Sequence, residues 1–389
     1  MTSLHARRVA IIGAGLAGLV LARILQEHGI AATVYESDAS GDVRLQGGML
    51  DIHHDSGQYA LDRAGLLDEF RRHTHPQAEH TRVLDKTGRV FVDDGPEPGE
   101  GDRPEIDRTV LRGLLAGSLD PGRIVWGHKV TGARALGGGR HEVIFADGST
   151  AAADLLIGAD GAWSRVRPLL SPDRPRYCGI THVEFRVSDA VTRHPKQAAT
   201  VGPGSIFALS DGKGVLGHGG DHLELGVCLR VPQDWPPLRE TDWSDPAAAR
   251  AVLLAELAGW SAELTDLVRH ADGVFTTRQI FALPTGHSWT RIPGVTLVGD
   301  AAHLMSPYAG EGANMALFDG AELALALLAH PDDVETALAE YERAMFPRAR
   351  AAAEASAQGL EMLFNARAPH DLAAFFSGGG FQSRTGALT

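Results

Sequence analysis

The sequence predicts an α/β protein, with a Rossmann-like dinucleotide-binding domain, an inserted antiparallel sheet and C-terminal helices. Three observations predict this. Val9 to Glu36 reads as strand, glycine turn, helix and strand. Between Tyr177 and Leu229 the pattern changes to short alternating and β-branched runs. Val334 to Leu363 is a long Ala- and Glu-rich stretch with helical composition. A parallel sheet interrupted by strands and followed by helices has this order of elements.

The first stretch carries the strongest signal. Val9 to Ile12 is an apolar, β-branched run of the kind that a buried parallel strand requires. Gly13, Gly15 and Gly18 follow at G-x-G-x-x-G spacing. The first glycine permits a tight turn, the second lets backbone amides approach a pyrophosphate, and the third lets helix and strand pack closely. Leu16 to His28 has helical length, Gly29 can stop it, and Thr33 to Tyr35 is a second strand ending at Glu36. A helix N-terminus favours phosphate charge, and an acid at the second strand's end is placed for a ribose. The motif points to a dinucleotide and leaves FAD and NAD both open.

Downstream, the paired glycines of Arg44 to His53 mark a close backbone approach. Asp55 to Phe70 is expected to be helical, Val83 to Asp93 a hairpin around Thr87-Gly88, and Asp107 to Leu119 a helix capped by Asp107 or Thr109. Leu155 to Gly161 reads as a buried strand ending in a sharp turn, with Ser164 and Arg167 behind it. Strands are expected at 183–187, 200–209, 214–217 and 223–229, and a helix over Ala247 to Arg269. Val295 to Val298 is another buried strand, followed by the Gly299-Asp300 turn and a glycine-led helix from Gly312 to about Leu328. Val334 to Leu363 is expected to form one or two surface helices.

Composition narrows the function. A net charge of −13 with no basic tract argues against nucleic acid. Cys178 and Cys228 match no metal or redox spacing, and the spacing of His73, His75 and His80 fits no zinc pattern, so no metal is expected. The apolar N-terminal run contains glycines and Arg23 and lacks a cleavage site, and no run has the length of a membrane span. The expectation is a soluble, cytoplasmic monomer or weak dimer without a membrane partner. No G-x-S-x-G supports a hydrolase. There is neither a second G-x-G-x-x-G nor a C-x-x-C pair to support a disulfide reductase-like flavoprotein.

Three segments together carry a resemblance. They are the Gly13–Gly18 motif, Gly158-Ala159-Asp160-Gly161 with Ser164 and Arg167, and Gly299 to Asn314. In this order they resemble the group A flavoprotein monooxygenases, the para-hydroxybenzoate hydroxylase-like family. The narrower likeness is to the TetX-type tetracycline-inactivating monooxygenases. It is carried by Gly47 to His53, Ser56-Gly57-Gln58, Ala64-Gly65-Leu66, Pro104 to Arg108, Leu111-Arg112 and Gly299 to Asn314.

The resemblance implies an FAD-binding domain over 1–75, 102–175 and 275–330, and a substrate domain over 76–101 and 176–274. A helical segment at 334–366 and a mobile tail at 367–389 would complete the chain. Gly13, Gly15, Gly18 and Glu36 would bind the ADP half of FAD. Arg44 would contact the adenosine side, and Arg112 the pyrophosphate or ribityl region. Asp300 would bond the ribityl chain, for which a plain helix N-cap is the alternative. Pro307, Gly310, Gly312 and Asn314 would border the isoalloxazine, Asp51 would face its pyrimidine edge, and Asp160 would serve both FAD and the nicotinamide donor. Arg167 is expected either at a phosphate or in an exposed salt bridge.

The implied reaction consumes NADPH or NADH and O2 through a flavin C4a-hydroperoxide, which hydroxylates an electron-rich phenol or enol. No acid–base triad is then needed. A tetracycline or related polyketide is the expected substrate, in a resistance or biosynthetic setting. A simple aromatic acid, or sequestration of flavin or drug without turnover, are the alternatives. The pocket is expected against the flavin and the inserted sheet, from His182, Glu184, Arg186, Phe207, Met49, His53 and Pro307. Glu184 stands where the tetracycline enzymes have a substrate-binding glutamine, and no matching arginine is evident from sequence.

Overall fold

The computed structural model describes residues 3–41, 48–75, 79–95 and 102–378. The chain forms two compact units. One comprises Met1–Thr74, Ile106–Arg176 and Phe281–Ala357, and the other His75–Glu105, Tyr177–Ile280 and Gln358–Thr389.

The first unit is built on a five-stranded sheet in the order Val295–Leu297, Leu155–Gly158, Val9–Ile12, Ala32–Tyr35, Ile124–Val125. Its pairings are parallel. Every residue of Val9–Ile12 and of Leu155–Gly158 is buried, so both strands read as unbroken apolar runs. The helices Leu16–Glu27 and Glu311–Ala329 pack face to face. They approach so closely that a Cβ on Gly320 would lie 2.4 Å from the Ala17 carbonyl oxygen. A three-stranded antiparallel sheet, Val130–Gly137, Arg140–Phe145 and Thr150–Ala153, completes this unit.

Glu311–Ala329 has the length and apolar composition of a membrane span, contrary to the expectation that no run does. Here it is a core helix. Asn314, Asp319 and Leu323 are all fully buried within the unit.

Glycines explain two further differences from the sequence reading. The helix expected over Asp55 to Phe70 is a π-type turn (His54–Gln58) and two short helices, Tyr59–Arg63 and Leu67–Arg71. Gly65, at φ +69°, separates them. The helix expected over Ala247 to Arg269 is likewise two, Pro246–Glu256 and Ala262–Arg269, with Gly259 at φ +82° between them and Ser261 capping the second.

The segment expected to lie on the surface is also different. Val334–Phe364 is one helix, and its Ala337, Leu338, Tyr341 and Met345 belong to the core of the first unit. The Tyr341 hydroxyl donates to the Leu297 carbonyl at 3.1 Å. The Glu342 carboxylate accepts from Arg291 at 2.7 Å and from the Thr296 hydroxyl at 2.8 Å. Residues up to Ala357 therefore belong with the parallel sheet and are not a separate segment.

The second unit holds a seven-stranded sheet ordered Asp272–Ala282, Arg176–Val187, Leu223–Arg230, Lys213–His218, Ser205–Ser210, Thr81–Leu84, Val90–Asp94. Most neighbours run antiparallel, as expected. Ser205–Ser210 and Thr81–Leu84 run parallel, so the sheet is mixed. One face carries Val183, Phe185, Ile206, Val215 and Val227 into a core shared with Leu253, Leu264 and Leu267 of the two helices. In the stretch assigned to a mobile tail, His370–Ser377 is a helix, and residues 379–389 lie outside the described residues.

Candidate functional site

The Gly13–Gly18 turn divides its glycines between two tasks. A Cβ on Gly13 would lie 2.4 Å from the Ala159 carbonyl oxygen, and one on Gly18 2.3 Å from the Gly13 oxygen. Those two glycines are required by packing against the neighbouring turn and strand. Around Gly15 nothing lies within 4 Å of the Cβ position, so this glycine leaves open space. Gly15 is also the N-cap of Leu16–Glu27, and no side chain caps that helix. Its first amides are therefore free to meet an anion.

Around this turn the charged groups are ordered by backbone. Glu36 is buried; its Oε2 accepts from the Ala14 amide at 2.7 Å, and its Oε1 from the Ser37 hydroxyl and the Asp38 amide. Burial alone would raise its pKa. The amides of Asp38 and Ala14, the Ser37 hydroxyl and nearby Arg112 outweigh that and hold it below the usual carboxylate range. Buried Arg112 donates to the Ala14 carbonyl at 2.9 Å and to Asp38 at 3.4 Å, and lies over the Trp126 ring. Arg44 lies outside the described residues.

The second and third turns are joined by a residue whose expected role changes. Arg167 is buried, which overturns the exposed salt bridge. Its Nε donates to the Ala301 carbonyl at 2.7 Å, and its Nη2 to those of Ala162 (2.9 Å) and Asp300 (3.1 Å). It thus fastens the Asp160 turn to the Asp300 turn. Asp160 accepts from the Arg165 amide at 2.6 Å through Oδ2, while its buried Oδ1 has no partner. Burial pushes this carboxyl's pKa up. Asp300 is accessible to solvent yet closely surrounded by protein, and that crowding raises its pKa against the pull of His303, Arg108 and Arg167. Gly299, at φ +59°, is the N-cap of the short helix, and Asp300 is its first residue.

Behind Asp300 lies a buried charge network that the sequence reading missed. Asp319, with no solvent exposure, accepts from His303 Nε2 at 2.6 Å, from Arg348 at 3.1 Å and from the Gly299 amide at 3.0 Å. Burial opposes the charges of both His303 and Asp319, but their pairing prevails, raising the imidazole pKa and lowering the carboxyl pKa. The available signal was a lone Asp inside the apolar run Met315 to Leu328.

The ring-bordering candidates also separate into two groups. Gly310 (φ +70°) caps Glu311–Ala329, again with no side-chain cap, one residue ahead of the expected helix start. Gly310, Gly312 and Pro307 are accessible, and a Cβ on Gly310 would come to 3.4 Å from the Asp51 carboxylate. Asp51 also meets His53 Nε2 at 3.0 Å. Asn314, by contrast, is fully buried and engaged by backbone. Its Oδ1 accepts from the His53 amide at 2.9 Å and its Nδ2 donates to the Asp51 carbonyl at 2.8 Å. Asn314 positions the Asp51–His53 segment. Met49 is half-buried and His53 buried.

In the second unit, Glu184 forms a two-pronged pair with Arg278, at 2.9 and 3.1 Å, and Arg186 pairs with Glu224 at 3.1 Å. The sequence reading did not single out Arg278 as the partner of Glu184. His182 Nδ1 lies 3.8 Å from Glu184. Phe207 meets Phe376 of the His370–Ser377 helix, with ring centroids 6.3 Å apart. Among the described residues there is no cluster of His, Cys, Asp or Glu able to hold a metal.

An open second glycine, an ordered acid on the next strand, a second turn packed on the first and a third fastened to the second define a dinucleotide-binding protein of the Rossmann type. Residues 6–210 and 287–356 match the FAD binding domain family, and the chain belongs to it. It is 31% identical to Monooxygenase asqM of Emericella nidulans, over 93% of this chain and 96% of that protein. The fold is shared with Klebsiella pneumoniae HpxO complexed with FAD and uric acid (TM-score 0.78, 23% identity, 95% of this chain and 92% of that one). It is also shared with the tetracycline destructase Tet(51) (TM-score 0.70, 21% identity, 97% and 95%). The protein is an FAD-dependent monooxygenase.

Proposed function

We propose that the enzyme hydroxylates an electron-rich planar phenol or enol, such as a tetracycline or a related polycyclic polyketide, with NADPH or NADH as electron donor. In this reading the parallel-sheet unit holds FAD and the seven-stranded unit binds substrate. One observation carries it. Two helices, Leu16–Glu27 and Glu311–Ala329, each begin at a glycine without a side-chain cap, and both belong to the unit that contains Asp160 and Asp300.

FAD, when bound, supplies the electron transfer and the oxygen chemistry. The chain's residues bind and orient it. The Leu16 helix amides would meet the pyrophosphate past Gly15, Glu36 would take the ribose, and Arg112 holds the turn. Asp160, whose Oδ1 has no protein partner, and Asp300 supply acceptors for cofactor hydroxyls. The Glu311 helix amides would stabilise negative charge on a ring bordered by Pro307, Gly310 and Gly312. Asp51 with His53 borders the pyrimidine side, held there by Asn314.

The test is NADPH oxidation by the FAD-loaded enzyme with a tetracycline, an anthraquinone-type polyketide and a hydroxybenzoate, each product weighed for one added oxygen. Substrate-stimulated oxidation with a singly oxygenated polycycle is the expected result. Stimulation by the hydroxybenzoate alone would reject the polycyclic substrate. Tight binding with a reducible flavin and no oxygen insertion would reject hydroxylation.

A further inference from the structure

The seven-stranded sheet has a second face, opposite the one that Pro246–Glu256 and Ala262–Arg269 cover, and the His370–Ser377 helix meets it at Phe207. Directly paired residues share a face, so the register reads that face row by row. The central row runs Phe207, Leu216, Gly226, Glu184. The row on one side contains Arg186, Glu224 and His218, and the row on the other contains His182 and Cys228.

Gly226 is the key to this surface. A Cβ there would lie 1.8 Å from Nε2 of His182, so the imidazole occupies the space that the missing side chain leaves. The ring therefore lies over the central row, between Leu216 and Glu184 in the register. His182 Nε2 is buried and has no protein partner. Burial, reinforced by the charge of Arg278 and opposed by Glu184, lowers the imidazole pKa. At the rim stand Glu184 and Arg278, their side chains 36% and 61% exposed.

We infer that this face is the substrate-recognition surface, and that it selects a planar ring system whose edge presents a hydrogen-bond donor beside an acceptor, as an amide or lactam does, over an aromatic carboxylate. The inference rests on the hydroxylase reading and deepens it. The arginines that register and bonding place on this face are already matched by glutamates: Arg278 by Glu184, Arg186 by Glu224 and Arg230 by Glu361. A carboxylate approaching Arg278 would meet the Glu184 charge at the same place. An amide edge meets complementary partners there: a remaining guanidinium N–H donates to its carbonyl, and Glu184 accepts from its N–H. The imidazole that fills the space at Gly226 offers the ligand's rings an apolar, aromatic contact.

The experiment uses two isosteric probes, 6-hydroxy-2-naphthamide and 6-hydroxy-2-naphthoate, which differ in charge at one group. Their binding to FAD-loaded wild-type enzyme and to Glu184→Ala is measured by calorimetry. The wild type should bind the amide about tenfold more tightly than the acid (~1.4 kcal/mol). Glu184→Ala frees Arg278 and should reverse the preference. Arg278→Gln should weaken the amide without gaining the acid. Equal or tighter binding of the acid by the wild type, no binding of the amide, or an unchanged ratio in Glu184→Ala would each overturn the inference. The readout is independent of turnover. The predicted preference without oxygen insertion would sink the hydroxylase reading alone. Hydroxylation with the acid preferred would sink this inference alone.

Discussion

The two sheets fix their functional side chains in different ways. In the parallel-sheet unit the partners are largely backbone: Glu36 is held by amides, Arg112 and Arg167 by carbonyls, and Asn314 by both. In the seven-stranded unit they are side chains on neighbouring strands, Glu184 with Arg278 and Arg186 with Glu224. Backbone partners hold one geometry whichever residues surround them. Paired side chains can be exchanged one at a time, which suits a surface that sets specificity. The cofactor unit should therefore respond to mutation as a connected framework, and the sheet face as separable pairs.

The largest expected effect tests how far that framework extends. Removing residues 334–389 deletes Ala337, Leu338, Tyr341 and Met345 from the core, and Glu342 and Arg348 from their buried partners. A surface helix closing over a pocket would leave a folded, flavin-binding protein after this deletion. A core helix will not. The truncated chain should be insoluble or lack a cooperative thermal transition; a truncated protein that retains FAD and a normal melting curve would refute the core assignment.

Next in size is Asp319→Ala. It removes the shared acceptor and leaves the buried His303 imidazole unpaired, with the half-buried Arg348 losing its carboxylate as well. Breaking such a pair costs about 3–5 kcal/mol. Denaturant unfolding should show a loss of that order, with weaker FAD binding, because the Gly299 amide also loses its partner. A loss below about 1 kcal/mol would mean the network is dispensable.

Smaller effects separate the glycines. Gly18→Ala forces a methyl against the Gly13 carbonyl and should lower stability by roughly 1–3 kcal/mol even without cofactor. Gly15→Ala meets nothing and has an ordinary φ of −85°. It should leave the cofactor-free protein's melting temperature unchanged and weaken FAD binding. Equal destabilisation by both substitutions would erase the distinction between packing glycine and cofactor glycine.

The same contrast explains what could be read from the sequence. The parallel sheet, its order of turns and the glycine motif were legible because each rests on neighbours within a few residues: Val9–Ile12 is apolar throughout, and Gly13, Gly15 and Gly18 share one turn. The Asp107 cap was legible for the same reason. Arg278 was not, because its place beside Glu184 depends on strands 94 residues apart in sequence. The exposed salt bridge offered for Arg167 fails because its sequence neighbours do not reveal that the Ala301 and Asp300 carbonyls converge on it. Asn314 was expected to border the ring, and its engagement by the His53 amide and the Asp51 carbonyl appears only when the 49–53 segment lies against the helix.

The smallest of these effects bears on whether a framework residue can act through its side chain alone. In Asp300 the main chain carries the structural load: its carbonyl accepts from Arg167 and its amide follows the Gly299 turn. The carboxylate is open to solvent and contributes little to the fold. Asp300→Ala should therefore preserve the melting temperature of the cofactor-free protein. If the carboxylate bonds the ribityl chain, one charge-assisted hydrogen bond is lost on FAD binding, worth roughly 1.5–3 kcal/mol. Its exposure puts the expected loss near the lower figure, or about tenfold in affinity. Flavin fluorescence titration measures it directly. Asp300→Asn keeps an acceptor in place and should recover part of the loss. Full FAD affinity in Asp300→Ala would assign Asp300 to the turn alone, leaving Asp160 and the open amides beside Gly15 as the cofactor's polar contacts.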